Sequence, residues 1–394
     1  MSLIVLKFGG TSVADISRIK NSAEIVKKVK NSGNKVIVVV SAMAGTTNKL
    51  VSLCNDISTL DSDEKRLEYD AALSTGEALT ASLLALGLME SGLKARSLQG
   101  WQVRIKSTNQ PTMALIEDID IELLQNLLQL NVIPVITGFQ AINSNEQITT
   151  LGRGGSDTTA AAIAAAVKAD FCDIYTDVDG IYSSDPRLVH NAKLIEKISY
   201  EETLELAGSG AKILHPRSVE ICMRYKIPIR VFSSFSIKSG TIIMSNIDEI
   251  NKITAISYLK KLNIIKIIDP NKNFVDFVND LSKRGVNFHQ ILSIRNEEYI
   301  FSLKSEYLLK FKSWINENNM QSVIIIENVG SIVITGAAIR HDSKIFAQIL
   351  TILSEKGIEL LQIMNTEIKV CVYTYDAHTE ICVKTLHQKL IEHD

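Results

Sequence analysis

The sequence lacks the excess of positive charge that is typical of proteins that bind nucleic acids or anionic membrane surfaces. Its 394 residues include 42 basic and 44 acidic ones, which gives a formal net charge of -2. Binding to a nucleic-acid backbone or to an anionic lipid surface needs a surplus of Lys and Arg. We therefore expect neither nucleic acid nor a membrane among the partners of this chain.

Cysteine is scarce and shows no pairing pattern. The five cysteines are odd in number and include no C-x-x-C spacing, which is typical of reduced thiols in a reducing compartment. The first residues run into a strand-like stretch without a cationic leader, and no uncharged apolar run approaches the ~18 residues of a membrane span. These features predict a soluble cytoplasmic protein.

Short runs rich in β-branched residues alternate with helical patterns in the first part of the chain. The runs cover residues 3–8, 35–40, 132–137, 171–176 and 227–232, and the helical patterns cover residues 16–30, 63–90, 120–130, 157–168 and 215–225. This alternation predicts an α/β fold, with a mostly parallel sheet between two layers of helices. In such folds ligands lie beyond the carboxyl ends of the strands.

A repeat follows in the C-terminal third of the chain. Nine positions between Phe274 and Ile291 match nine positions at a constant offset of 72 residues, as between Gly285 and Gly357. Each copy reads as a β-rich run, an amphipathic helix, a glycine stop and a strand, which predicts two small α+β units. The length also favours two or three domains. We predict domains at residues 1–245, 246–328 and 329–394, with interleaving of the last two as an alternative.

Three glycine-rich or hydroxyl-rich turns have the composition of anion-binding sites. They are Lys7-Phe8-Gly9-Gly10-Thr11-Ser12, then Val40-Ser41-Ala42-Met43-Ala44-Gly45-Thr46-Thr47-Asn48, and then Leu151-Gly152-Arg153-Gly154-Gly155-Ser156-Asp157. Glycines let backbone N–H groups approach an anion closely, and a following helix start adds the positive end of its dipole. The spacing is not that of a P-loop. For the first two turns, an ordinary strand–helix connection or a helix cap remains an alternative.

Charged side chains in these turns point to the chemistry. Lys7 would place an ammonium against phosphoryl oxygens, and the guanidinium of Arg153 matches a carboxylate or a phosphate. Asp157 has an alternative role as an acid near a helix start. Two later loops, at residues 175–187 and at 210–216 with Lys212, read equally well as solvated surface.

Taken together and in order, these motifs resemble those of the aspartate kinases, a branch of the amino acid kinase superfamily. The family pattern is met from Lys7 to Pro216 as K-F-G-G-T-S, V-S-A-x-x-G-x-T-N, S-x-G-E, L-G-R-G-G-S-D, T-D-V-D-G-I-Y-x-x-D-P-R and G-A-K-x-L-H-P. The resemblance implies phosphorylation of the L-aspartate side chain by ATP to 4-phospho-L-aspartate, the first step towards lysine, threonine, methionine and diaminopimelate. The repeated units look like ferredoxin-like ACT domains, which in this family bind effectors such as lysine or threonine and join subunits. We therefore expect a homo-oligomer.

The resemblance also implies roles for individual residues. Catalytic roles fall to Lys7, Asp157 and Lys212. Aspartate would be held by Thr47, Glu77, Arg153 and Ser156, with Arg153 on the α-carboxylate. The nucleotide would be bound by Lys7, Gly9, Gly10, Ser41, Thr176, Asp177, Tyr182, Arg187 and Lys212. We expect no protein ligand for a metal, because Mg²⁺ keeps several waters and borrows phosphate oxygens of ATP.

The chemistry agrees with this interpretation. A carboxylate with a pKa of about 4 is already ionised at neutral pH, so its attack on phosphorus needs no general base. No histidine of the motifs is positioned as one, and His215 reads as a structural residue before Pro216. The reaction instead needs positioning and neutralisation of charge on the phosphoryl oxygens.

The repeated C-terminal units depart from the family's sequence pattern. The sequence at residues 269–273, 287–293 and 339–344 replaces the family's glycine-containing turns and its strand motif, and loss of glycine weakens a backbone cradle for an effector. We expect weakened or altered feedback, with a loop rebuilt from side-chain donors as the alternative.

Two rival functions are phosphorylation of another acceptor, such as glutamate, N-acetylglutamate, carbamate or UMP, and amino-acid sensing without catalysis.

Overall fold

The computed structural model describes residues 1–210, 214–236, 238–245, 253–268, 274–295, 298–318, 320, 322–340 and 343–392. The chain divides into two compact units. The first unit comprises Met1–Ile181, Leu194–Ala207 and Lys212–Asp248, and the second comprises Tyr182–Lys193, Gly208–Ala211 and Glu249–Asp394. The boundaries near residues 245 and 328 remain predictions, and the segment Tyr182–Lys193 groups with the C-terminal part of the chain.

The first unit alternates strands and helices, as the sequence predicts. Its described strands are β1 (Leu3–Phe8), β2 (Lys35–Val40), β3 (Ala95–Leu98), β4 (Ile105–Ser107), β5 (Ile116–Ile119), β6 (Ile133–Thr137), β7 (Gln140–Ile142), β8 (Ile148–Thr150), β9 (Phe171–Thr176), β10 (Lys197–Ile198), β11 (Ile229–Ser233) and β12 (Thr241–Ile243). Its described helices are α1 (Ile16–Asn31), α2 (Thr46–Ile57), α3 (Asp63–Glu90), α4 (Glu122–Gln129), α5 (Gly155–Ala166), α6 (Tyr200–Gly208) and α7 (Pro216–Tyr225), with a 3-10 helix at Gly10–Val13.

Eight strands form one sheet in the order β10-β12-β11-β9-β1-β2-β6-β3. All neighbours from β3 to β11 are parallel, and only β12 is antiparallel to β11. The central strands β1 and β2 are buried along almost their whole length, as expected of parallel strands covered on both faces. The predicted α/β class with a mostly parallel sheet is confirmed.

One face of β1 packs in the apolar core, and the other face carries Lys7. Leu6 and Phe8 pack in one core cluster with Val26 of α1 and Leu84 of α3. Because side chains alternate along a strand, Lys7 faces the other side, where α5 packs against β1, β2 and β9. The strand therefore delivers a lysine to the α5 face at its carboxyl end.

Helix α3 combines an apolar character with buried polar groups. By length and composition it could cross a membrane, but half of its apolar window is buried inside the protein. Leu84 and Leu88 pack on the sheet, and Asp70 and Glu77 of the same helix are also buried. This is the pattern of a core helix in a folded domain that brings polar groups to an interior site.

A smaller sheet with the order β5-β4-β7-β8 lies in the same unit. The strand β8 pairs antiparallel with β7, from Gln140 opposite Thr150 to Ile142 opposite Ile148. Thr150 ends β8 directly before the turn that carries Arg153. The small sheet therefore fixes the start of that turn.

The second unit contains two similar halves on one sheet. Its described strands are β13 (Ala255–Ile268), β14 (Phe288–Arg295), β15 (Glu298–Lys304), β16 (Val323–Thr335), β17 (Gln362–Asn365) and β18 (Lys369–Tyr375), and its described helices are α8 (Phe274–Lys283), α9 (Ser305–Glu317), α10 (Ser343–Glu355) and α11 (Thr379–Leu390), with 3-10 helices at Ala337–Arg340 and Asp376–His378. The sheet order is β14-β15-β13-β16-β18-β17, so each half is strand–helix–strand–strand–helix around the central antiparallel pair β13–β16. Gly285 and Gly357 have φ values of 66° and 64°, which matches the predicted glycine stop in each copy.

The segment Tyr182–Lys193 is anchored within this second unit. Val189 belongs to the core cluster around Ile332 and Leu386. Ser183 Oγ lies 2.8 Å from His387 Nε2, and Lys193 Nζ donates a hydrogen bond of 2.8 Å to the carbonyl of Ile391. The C-terminal helix α11 and the residues after it thus hold this segment.

Candidate active site

A cavity of about 610 Å³ opens in the first unit beyond the carboxyl ends of β1 and β2. The position agrees with the rule for open parallel sheets. Eight residues singled out from the sequence line this cavity, namely Lys7, Gly10, Ser41, Thr47, Glu77, Arg153, Ser156 and Asp157. The cavity thus gathers side chains from β1, the loop after β2, α3 and the start of α5.

Lys7 and Asp157 form the closest ion pair of the cavity. Lys7 Nζ lies 2.6 Å from Asp157 Oδ1, and the two side chains are 10% and 13% exposed. Lys7 ends up there because β1 directs it towards α5, and Asp157 lies in the first turn of that helix. A pair that is this well shielded from water holds the ammonium in one place.

The glycine turns allow the loops to approach one another closely. A Cβ on Gly10 would lie 2.9 Å from the carbonyl oxygen of Ala42, and a Cβ on Gly9 would lie 3.5 Å from Lys7 Nζ. The backbone N–H of Gly9 donates to the carbonyl of Tyr175 over 3.0 Å. A side chain on Gly10 would therefore collide with the loop after β2, and a side chain on Gly9 would lie against the ammonium group of Lys7.

The turn before α5 is equally crowded. Gly154 has a φ of 68°, and a Cβ there would lie 2.3 Å from the ring of His215. A Cβ on Gly155 would lie 2.7 Å from the ring of Phe139. Only glycine satisfies both demands at Gly154, the left-handed backbone and the close ring. This turn carries Arg153, whose exposed side chain lines the cavity and has no ion-pair partner among the described residues.

Glu77 is a buried carboxylate with one unsatisfied oxygen. It is 3% exposed, and its Oε1 accepts a hydrogen bond of 3.0 Å from the backbone N–H of Ala42. Its Oε2 is buried and has no hydrogen-bond partner among the described residues. Burial raises the pKa of Glu77 to about 7, although the hydrogen bond from Ala42 acts in the opposite direction. A cation in the cavity would satisfy this oxygen and favour the ionised form.

Comparison with known proteins identifies the family. The model of the amino acid kinase family matches residues 2–233. The aspartokinase of Rickettsia felis is 45% identical over 398 residues, which cover 98% of this chain and 98% of that protein. The chain belongs to the aspartokinase family. The predicted family and enzyme class are confirmed, and the aspartokinase reaction is the activity that this membership gives.

Solved structures of aspartokinases share the fold. E. coli aspartokinase III in complex with aspartate and ADP has a TM-score of 0.82 at 24% identity, covering 98% of this chain and 99% of that one. The same enzyme in complex with lysine and aspartate has a TM-score of 0.80 at 25% identity, covering 99% of both chains. The likeness extends over the repeated C-terminal part, so the predicted ACT-like architecture agrees with that of known aspartokinases.

Some residues that the aspartokinase resemblance assigns lie outside the lining of this cavity. Thr176 and Asp177 follow β9, where Thr176 Oγ1 donates to Asp177 Oδ1 over 3.2 Å. Tyr182 and Arg187 belong to the second unit, and the guanidinium of Arg187 makes two hydrogen bonds to Asp185, of 3.0 and 2.8 Å. Lys212 lies outside the described residues. The roles of these five residues, of Gly9, which also lies outside the lining, and of the eight residues that line the cavity stay predictions from the family resemblance.

The cavity of this aspartokinase also contains residues that the sequence reasoning missed. Thr112, Phe139 and Thr150 line it. Thr112 and Thr150 both donate hydrogen bonds to Asp70, which is fully buried on α3. A short polar residue in a loop gives no signal in one sequence, whereas the position of Asp70 seven residues before Glu77, on one helix face, was a signal that could have been used.

His215 was interpreted from the sequence as structural. It precedes the first residue of α7, and burial lowers the pKa of its imidazole, so the ring is neutral at neutral pH. The ring packs against the backbone of Gly154. It therefore shapes the turn that carries Arg153, and the structure adds this packing to the earlier interpretation.

Proposed function

We propose that the cavity holds L-aspartate beside the terminal phosphates of ATP, so that the aspartokinase reaction takes place between Lys7 and Arg153. The observation that carries this proposal is the convergence of an ammonium, a guanidinium and an unsatisfied buried carboxylate on one cavity. An amino acid with two carboxylates and one ammonium group requires charges of both signs. Of the rival acceptors, N-acetylglutamate, carbamate and UMP lack that set, and glutamate carries it on a longer side chain.

The acceptor end is built by residues of α3 and of the turn before α5. Arg153 pairs with the α-carboxylate, because a guanidinium offers two parallel donors to it. Glu77 takes the ammonium group on its free Oε2. Thr47 and Ser156 line the same cavity and supply hydroxyl groups. Together they leave the side-chain carboxylate of aspartate directed towards Lys7.

The phosphoryl end is built around Lys7. The carboxylate oxygen attacks the γ-phosphorus, the bond to the bridging oxygen breaks, and ADP leaves with that electron pair, so the acceptor releases no proton. Lys7 neutralises charge on the transferring oxygens, and Asp157 holds its ammonium in position. Gly9, Gly10 and Ser41 leave room for phosphate oxygens beside it. By family resemblance alone, nucleotide binding is also proposed for Thr176, Asp177, Tyr182, Arg187 and Lys212.

The donor set of the chain suits a metal that arrives with the nucleotide. In the described residues no group of three or more His, Cys, Asp and Glu side chains could hold a metal ion by itself. Asp157, the carboxylate nearest the proposed phosphates, is paired with Lys7. Mg²⁺ accepts phosphate and water oxygens readily, so it would arrive bound to ATP and would offset the charge of the phosphates. The residues named above bind and orient; they do not enclose the ion.

A hydroxylamine trap tests the proposed reaction. The full chain is incubated with ATP, Mg²⁺ and hydroxylamine, and with aspartate, glutamate or N-acetylglutamate as acceptor. An acyl phosphate is converted to a coloured hydroxamate, which we expect with aspartate alone. Absence of hydroxamate with aspartate, or equal amounts with glutamate, would refute the assignment of the acceptor site. An enzyme-free reaction supplies the background.

Proposals for regulation and assembly also rest on the aspartokinase family. We propose that the ACT-like halves bind an amino-acid effector, lysine or threonine, and that the enzyme is a cytoplasmic homo-oligomer. The fold supports this proposal, since the whole chain is similar to the structure of E. coli aspartokinase III in complex with lysine and aspartate, with a TM-score of 0.80. The loop at 269–273 and residues 341–342, where the sequence departs from the family, lie outside the described residues.

A further inference from the structure

Asp70 is a buried carboxylate that does not line the cavity. It is 0% exposed and lies on α3, seven residues before Glu77. That spacing is two helical turns, or about 10 Å, and puts both side chains on one face of the helix. Among the described residues no cation pairs with it. Its charge must therefore be balanced by hydrogen bonds.

Three donors supply that balance. Asp70 Oδ2 accepts the backbone N–H of Thr112 over 2.7 Å and that of Thr150 over 2.8 Å. Asp70 Oδ1 accepts the hydroxyl of Thr150 over 2.6 Å. The two backbone N–H groups can only donate, and the Thr150 hydroxyl is placed to donate as well, so the ionised carboxylate finds an acceptor role at each of the three contacts. Burial raises the pKa of Asp70, while these hydrogen bonds lower it.

The two residues that supply these donors, Thr112 and Thr150, belong to segments that form the walls of the cavity. Thr112 lines it and has a φ of 68°, a left-handed conformation that a β-branched residue adopts only when its surroundings hold it there. Thr150 ends β8, and its carbonyl accepts a hydrogen bond of 3.0 Å from Ala114. Arg153 follows Thr150 by three residues. One carboxylate thus joins the helix of Glu77 to the strand end that leads to Arg153.

We propose that Asp70 is a positioning residue of the aspartate-binding half of the site. It fixes the turn of Arg153 and the loop of Thr112 relative to Glu77, without contact to either substrate. This inference rests on the proposed function of Glu77 and Arg153 in binding aspartate. It predicts that loss of the Asp70 charge impairs aspartate binding and leaves nucleotide binding nearly intact.

Steady-state kinetics of Asp70→Asn tests the proposal. Asparagine keeps the volume but removes the charge: its amide oxygen can still accept the two backbone N–H groups while its N–H₂ donates to the Thr150 hydroxyl, so the charge-assisted hydrogen bonds become neutral ones. We expect the KM for aspartate to rise about tenfold or more, the order of magnitude of such a bond. The KM for ATP should stay within about twofold of the wild-type value, since the residues around Lys7 do not depend on the hydrogen bonds of Asp70. Asp63→Asn, an exposed acid on the same helix, should match the wild type.

A second pair of variants decides the matter if Asp70→Asn does not fold. Thr150→Val removes only the hydroxyl that donates to Asp70 and should raise the KM for aspartate about threefold or more. Thr149→Val removes the neighbouring buried hydroxyl, which lies 2.7 Å from Ser107, and should leave that KM unchanged. An unchanged aspartate KM in Thr150→Val would overturn the proposal.

The outcomes separate this inference from the proposed function itself. A wild-type enzyme that gives no hydroxamate with aspartate refutes the function. An active wild type together with an Asp70→Asn variant whose two KM values rise equally, or whose kcat alone falls, refutes the positioning role. A selective rise in the KM for aspartate supports it.

Discussion

The ammonium of Lys7 lies 2.6 Å from a carboxylate oxygen of Asp157, where the strand β1 meets the first turn of α5. The two side chains come from positions 150 residues apart in the sequence, and water has little access to either. An ammonium that is held by a carboxylate keeps its place while a phosphoryl group moves past it. This relationship is the centre of the proposed mechanism.

Replacement of Lys7 should therefore abolish most turnover. We expect Lys7→Met to lower kcat by about 10² to 10³, the loss typical of one removed transition-state donor. Circular dichroism should show the same fold. Lys65→Met is the matched control, because Lys65 is exposed on α3 and pairs with the exposed Asp61. A Lys7→Met enzyme with near-normal kcat would disprove the assignment of Lys7.

Binding of aspartate should depend on pH through Glu77. With a pKa of about 7, Glu77 is mostly protonated at pH 6 and mostly ionised at pH 8 in the free enzyme. The ammonium of aspartate needs the ionised form, so the KM for aspartate should fall about tenfold over this range. Glu77→Gln should have a higher KM that no longer varies with pH. Glu90→Gln, at the exposed end of the same helix, should behave as the wild type.

A rise in pH that favours aspartate binding through Glu77 should also lower the stability of the folded protein. The pKa of Glu77 in the folded state is raised from 4.5, so its favourable contribution is complete below pH 4.5 and is lost as the pH rises towards 7. The wild type should therefore lose stability relative to Glu77→Gln between these pH values. Urea unfolding of both proteins at pH 5 and pH 8 measures the difference. A constant difference would show that Glu77 has an ordinary pKa.

Gly154 should tolerate no side chain. In Gly154→Ala the new Cβ would lie 2.3 Å from the ring of His215, in addition to the strain of a φ of 68°. We expect a large loss of thermal stability and a raised KM for aspartate, because Arg153 is the preceding residue. Gly92→Ala measures the loss of stability that the left-handed backbone causes by itself, since Gly92 has a φ of 84° and nothing lies within 4 Å of its Cβ position. That control should lose only about 1 kcal/mol. Equal losses in both variants would contradict the packing account.

Feedback control should be weak or altered. The sequence at residues 269–273 and 339–344 lacks the glycines that would let backbone amides approach an effector. Activity is titrated against lysine, threonine and both together. We expect little inhibition by lysine below millimolar concentration, and strong inhibition in that range would show that other groups have replaced the glycine cradle.

Much of the first unit could be predicted from the sequence. The predicted strand at residues 3–8 and the helix at 63–90 have the observed bounds, because a buried parallel strand and a long periodic helix are the strongest local patterns. The strands β4, β5, β7 and β8 were missed. They have three or four residues each, and their pairing depends on tertiary contacts that no short run reveals.

The site was predictable where residue type carries the chemistry. Lys7, Glu77, Arg153 and Asp157 were identified by motif and meet in one cavity. Asp70 was not identified, because its role depends on two threonine N–H groups from distant segments. The left-handed conformation of Thr112 is likewise imposed by its surroundings and leaves no trace in the sequence.

The central claim is that Arg153 and Glu77 hold aspartate with its side-chain carboxylate directed towards Lys7. A crystal structure of the enzyme with L-aspartate and ADP tests it most directly. We predict the α-carboxylate on the Arg153 guanidinium, the ammonium within hydrogen-bond distance of Glu77 Oε2, and the side-chain carboxylate on the Lys7 side. Aspartate bound elsewhere, or bound with Arg153 turned away into solvent, would contradict this account.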